Sequence, residues 1–168
     1  MICGTFTDEQ NKLHLHKQLM QTMKKHLIHF LTAIIFLSGP VTAQIITVTP
    51  PLPTDQDDIV LVFDATQGSQ GLMGYTGDVY AHTGVITNLS TGPSNWQHVM
   101  ADWGVNIPEC KLTPLGNDKW QLNIGPSIRQ YYNVPAEEEI LHLAFVFRCG
   151  VQVNGAGLEG KTAANGDI

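Results

Sequence analysis

Residues 44–168 read as an all-β fold, a β-sandwich with one short helical segment. Three observations predict it. Short runs rich in β-branched and aromatic residues recur at hairpin-like spacing, turn-forming dipeptides separate them, and only one brief stretch carries helical signals, which argues against a βαβ architecture. A length of 168 residues is that of one domain.

Residues 1–22 offer no strand and have no core to join, so they read as an over-extended start with Met23 the natural initiator. Residues 23–43 carry the marks of a secretory signal. Met23-Lys24-Lys25-His26 is a basic opening, residues 27–37 an apolar run, and Ser38 to Ala43 a small-residue region with cleavage expected between Ala43 and Gln44. The apolar run is shorter than the ~20 residues a spanning helix needs, so no retained membrane anchor is expected. With no cysteine at the cleavage point, the mature domain is expected to be secreted, periplasmic or at the cell surface.

The elements then follow in order. Residues 45–48 are a short leading strand, closed by the prolines at 50, 51 and 53, which cannot donate to a ladder. Residues 58–64 are a strand, and the glycine-rich stretch 65–77 is a loop. Residues 77–86 alternate, with Val79, Ala81, Thr83 and Val85 on one face and Tyr80 and His82 on the other. After a loop at 88–94, residues 96–103 are predicted as a strand ending at Gly104. Residues 110–115 and 119–124 flank Gly116-Asn117-Asp118 as a hairpin. Residues 126–132 predict one or two helical turns, stopped by Asn133 and Pro135. Residues 140–148 are apolar on both faces, which predicts a strand central to its sheet. Asn165-Gly166 is a turn and Asp167-Ile168 reads as the opening of a further strand, so the final strand is expected to be cut short.

The chemistry on offer is narrow. Residues 155–162 match the phosphate-loop pattern letter for letter, but Ala163-Ala164 runs into Asn165-Gly166 instead of a helix that could aim its dipole at a phosphate, so no nucleotide is expected. Asp55, Asp57 and Asp58, and Glu137 to Glu139, sit at turns before strands, without the spacing of a calcium loop or a fixed glycosidase pair. Neither a nucleophile elbow nor a Cys/His signature is present, so the segment reads as non-catalytic and free of cofactors. His14 and His16 lack further ligands for a metal. Residues 44–168 hold thirteen acidic and five basic side chains, a net charge of −8, which disfavours nucleic acid as a partner.

Aromatic placement stands out. Flat rings offer a platform to the apolar face of a sugar, with polar neighbours fixing orientation. Trp120 alternates with Leu122 and Ile124 and belongs to the core, and at least one of Tyr131 and Tyr132 is expected to pack onto the sandwich. Trp96 and Trp103 stand open between packing and ligand contact. His82, opposite the apolar face of its strand, is the histidine best placed for a ligand. Cys110 and Cys149 allow either a disulfide or two buried thiols.

Residues 63–68 (Phe-Asp-Ala-Thr-Gln-Gly), 77–87 (with Val79-Tyr80-Ala81-His82), Asp102-Trp103-Gly104 and 143–148 resemble the amino-terminal, starch-binding-type, immunoglobulin-like domain of secreted Bacteroidetes α-amylase-family glycoside hydrolases. The resemblance covers residues 44–168. It implies an α-glucan ligand held by His82 and Trp96, with Trp103 and Tyr80 as further contacts. It also implies a downstream catalytic domain in the same chain, since none of the α-amylase barrel blocks is present and a barrel needs about 250 residues. The two cysteines fall where such domains carry ordinary polar residues, which favours their pairing. A structural spacer with no ligand of its own is the alternative. Exposure of His82, Trp96 and Trp103 on one patch would discriminate the two.

Overall fold

The computed structural model describes residues 5–36, 44–151 and 157–168. Two compact units divide the chain near residue 42. The first contains a continuous helix, α1 (Thr5–Phe36), which joins residues that sequence reading left without a structural role to the apolar run. Its described side chains, 11–26, are exposed, and a hydrogen bond from the Thr22 hydroxyl to the Gln18 carbonyl runs along its surface. Among the described residues no helix is long and apolar enough to cross a membrane. The small-residue cleavage region through Ala43 lies outside the described residues.

The second unit is built of two antiparallel sheets. One has the order β1 (Ile46–Thr49), β2 (Ile59–Asp64), β5 (Lys119–Ile124), β4 (Thr113–Gly116). The other has the order β3 (Val79–Thr87), β6 (Ile140–Cys149), β7 (Glu159–Gly160). Alternation along each strand sends one set of side chains into a shared core. Ile59, Leu61 and Phe63 of β2 and Trp120, Leu122 and Ile124 of β5 meet Val79, Ala81 and Val85 of β3 and Phe145 and Phe147 of β6. The Phe63 and Phe147 rings stack across the two sheets at 4.2 Å. Burying each such ring contributes about 2–3 kcal/mol.

The β4–β5 hairpin turns at Asn117 and Asp118, both with positive φ (51° and 57°), as a two-residue primed turn requires. The helical segment is α2 (Ile128–Tyr131), capped by the Ser127 hydroxyl accepting from the Gln130 amide at 3.1 Å. Tyr132 is buried just beyond it, its hydroxyl 2.7 Å from that of Thr83. Strand β6 is central, as its double-sided apolarity predicts. Beyond β7, Ile168 exchanges two 2.9 Å backbone hydrogen bonds with Phe145 of β6.

Two expectations are corrected. Residues 96–103 form no strand: only Gln97 pairs with Val85, and His98 has φ +48°. The segment bends there because the His98 ring nitrogen is held 2.9 Å from the nearly buried Glu138 carboxylate, whose pKa is lowered first by the Thr87 hydroxyl and then by His98. Instead of 110–115 being strand throughout, Pro108–Cys110 is one 3-10 turn, and β4 begins at Thr113.

Candidate functional site

The site forms on the outer face of the β3–β6 pair. Inward positions of β3 are buried, which leaves Tyr80 and His82 half-buried on the opposite face, in line with the alternation. Their partners across the ladder are Arg148 and Val146 of β6. Residues 88–107 cross this face as an irregular segment. Gln97 exchanges backbone hydrogen bonds with Val85 at 2.7 and 2.9 Å, and the Met100 amide reaches the Thr83 carbonyl at 3.0 Å. Ahead of Trp96, the Asn95 side chain accepts from the Thr91 amide at 3.1 Å and closes a turn.

This crossing brings Trp96 and Trp103 to His82. The His82 imidazole lies near-parallel to the Trp96 indole, centroids 5.5 Å apart and planes at 28°. Trp103 meets the same imidazole edge-on at 5.0 Å and 80°. Trp96 is half-buried, and Trp103 is 39% exposed. The three line a hollow of about 440 Å³ with Asn95, Lys161 and Asp167. Burial pushes the His82 pKa down, and the Arg148 charge adds to this; Asp167, a hydrogen bond to the Ala101 backbone and Asp102 oppose it. Burial thus disfavours the charged imidazolium at this position.

Tyr80 is placed otherwise. It is absent from the hollow and carries the Arg148 guanidinium 5.6 Å above its ring. Arg148 is 1% exposed, and it donates to Asn106 Oδ1 at 2.8 Å and to the Val105 carbonyl at 2.5 Å. Among the described residues its Nε has no hydrogen-bond partner. The guanidinium thus clasps the crossing segment just beyond Trp103 to the sheet.

Lys161 and Asp167 are site residues that sequence reading did not assign. Lys161 arrives because loop 65–77 packs its backbone against β7. Ser69 donates its amide to the Lys161 carbonyl at 2.9 Å, and a Cβ at Gly68 (φ +65°) would lie 2.2 Å from that carbonyl oxygen. The Lys161 ammonium pairs with Glu159 at 2.6 Å. Two residues of the phosphate-loop match, Gly155 and Ala156, lie outside the described residues; its remainder, 157–162, holds β7 and is followed by a turn at 163–165 and not by a helix. Asp167 follows a turn closed by the Thr162 hydroxyl, which accepts from the Gly166 amide at 2.9 Å.

Three acids of the two clusters, Asp55, Asp57 and Glu138, are engaged in structural bonds. Asp57 Oδ2 accepts from the Thr54 amide and hydroxyl at 2.7 and 2.8 Å, and Asp55 takes Arg129 Nε at 2.7 Å. Among the described residues no group of three or more His, Cys, Asp or Glu is placed to hold a metal ion.

Cys110 and Cys149 are buried and free, which corrects the disulfide reading. Strand β3 runs between them: Val79 faces Cys149 on one side, while the Leu112 amide bonds the Val79 carbonyl from the other. Two strand spacings, about 10 Å, exceed the ~4.4–6.8 Å Cα separation of a disulfide. Cys110 Sγ lies 3.8 Å from the Tyr131 hydroxyl instead, and Cys149 Sγ 2.9 Å from the Val151 carbonyl. A scan against protein-family models and a search of curated proteins find no match to this chain.

Proposed function

We propose that residues 44–168 are a non-catalytic α-glucan-binding domain of the immunoglobulin-like accessory kind, exported and attached to an α-amylase-type hydrolase. The observation that carries the reading is the convergence of His82, Trp96 and Trp103 beside one open hollow on a solvent-facing sheet surface. An indole that is partly exposed and locked by a neighbouring ring is a pre-formed apolar platform, so a sugar stacking on it costs little side-chain entropy. Asn95, Lys161 and Asp167 offer donors and acceptors for hydroxyls at the rim. A buried Trp96 and Trp103 would have favoured the spacer alternative; both reach solvent.

Affinity electrophoresis in a soluble-starch gel tests this reading. The full chain should be retarded, with Kd in the micromolar to millimolar range, about −8 to −4 kcal/mol. Trp96→Ala should migrate as if starch were absent while keeping its far-UV spectrum. Unretarded wild-type protein would sink the reading.

A further inference from the structure

An imidazole stacked on Trp96 at 5.5 Å and met by Trp103 at 5.0 Å has little free face to offer a sugar. What it can offer is a ring nitrogen. A neutral imidazole carries one N–H donor and one acceptor nitrogen, and the group bonded to the first decides which is which. At His82 that group is the Ala101 backbone carbonyl, which takes the N–H. His82 lines the hollow and Ala101 does not, so the tied nitrogen faces the crossing segment and the other the open side. Among the described residues no hydrogen bond reaches that second nitrogen, and Val99 and Val146, which share the lining, have no side-chain donor to give it.

The charged groups around the ring are few and of both signs. Arg148 of β6 opposes a proton, while Asp167 beside the hollow and Asp102 on the crossing segment favour one. Lys161 also lines the hollow, its ammonium paired with Glu159. Burial is the largest influence, and it disfavours the charge. A sugar filling the hollow removes water from the same ring and so adds to that burial. Protonation would also exchange the only acceptor nitrogen for a second N–H.

We infer that His82 meets the glucan as a hydrogen-bond acceptor, its untied nitrogen receiving a glucose hydroxyl, so that the neutral imidazole binds the sugar and acid releases it. This rests on the glucan-binding reading of the same site. Proton and sugar then compete for one nitrogen, and by linkage each weakens the other by the same factor.

Titration calorimetry of the full chain with maltoheptaose, from about pH 7.5 down to about pH 5, reads this competition. Affinity should be level above about pH 6.5 and should fall below the folded pKa of His82 by up to about tenfold per pH unit, the limit for one linked proton. His82→Gln cannot titrate, so whatever affinity it keeps should be level across the range. An NMR titration of the wild-type His82 ring, which decides the matter if His82→Gln binds too weakly to measure, should move to lower pH in saturating maltoheptaose. A level wild-type profile, a fall that persists undiminished in His82→Gln, or a ring titration unmoved by the sugar would overturn the acceptor role and leave the glucan site standing. No binding of maltoheptaose at any pH would overturn both.

Discussion

His82 and Trp96, fourteen residues apart in the chain, stack ring on ring with centroids at 5.5 Å. The pair ties strand β3 to the irregular segment crossing it, so its strength sets how firmly the indole is held. An aromatic pair of this geometry contributes about 0.5–1.5 kcal/mol beyond area burial. A double-mutant cycle of His82→Ala and Trp96→Ala in urea unfolding should return a coupling of that size. Additive losses would mean that the rings touch without supporting each other.

The pH dependence of stability follows from His82. Its folded pKa lies below the ordinary histidine value, because burial and the Arg148 charge oppose protonation. As pH falls, the unfolded chain therefore takes up this proton first. The contribution of His82 to stability is complete above about pH 6.5 and is lost as pH falls from there toward the lowered folded value. Melting temperature should decline across that window in the wild type, and the decline should be shallower in His82→Gln. Identical slopes in the two proteins would contradict the shift.

Gly84 sits on β3 beneath the crossing segment. A Cβ there would stand 2.9 Å from the Gln97 carbonyl oxygen and 3.1 Å from Val99 Cγ2. Since the obstacle is backbone, Gly84→Ala should lift the segment that carries Trp96, at a cost of about 1–3 kcal/mol. Starch retardation should fall with it, and tryptophan emission should shift to the red. A variant with native stability and native retardation would show that the segment has slack.

Arg148 is a buried cation that, among the described residues, hydrogen-bonds neutral groups: Asn106 Oδ1 and the Val105 and Cys149 carbonyls. Burial accordingly lowers its pKa. Arg148→Met should cost about 1–3 kcal/mol, chiefly because Val105 and Asn106 lose their donor. Arg148→Lys keeps the charge but not the planar fork, so it should rescue the His82 titration without restoring full stability. The check is an NMR titration of the His82 ring beside a urea curve for each variant. A His82 pKa unmoved in Arg148→Met would refute the coupling.

Local pattern alone determined a good deal of this domain. Two-residue alternation places Val79, Ala81 and Val85 inward and His82 outward, because side-chain direction in a strand depends only on register. The same logic buries Trp120 with Leu122 and Ile124, and Gly116-Asn117-Asp118 and the stop signals Asn133 and Pro135 mark the hairpin and the short helical segment. The β-branched and apolar run of 140–148 marks the central strand. What the tertiary structure decided is where irregular chain goes. Residues 96–103 have strand-like composition, yet the His98–Glu138 contact and the Arg148–Asn106 bond, joining positions some forty residues apart, bend them across the sheet. Those contacts bring Trp96 and Trp103 to one imidazole, while the Ser69–Lys161 and Thr162–Gly166 bonds place Lys161 and Asp167 beside it. Cys110 and Cys149 fall on opposite edges of β3 for a similar reason: strand order in a sheet is set by hydrogen bonds between distant segments, and periodicity within one segment carries no record of its neighbours.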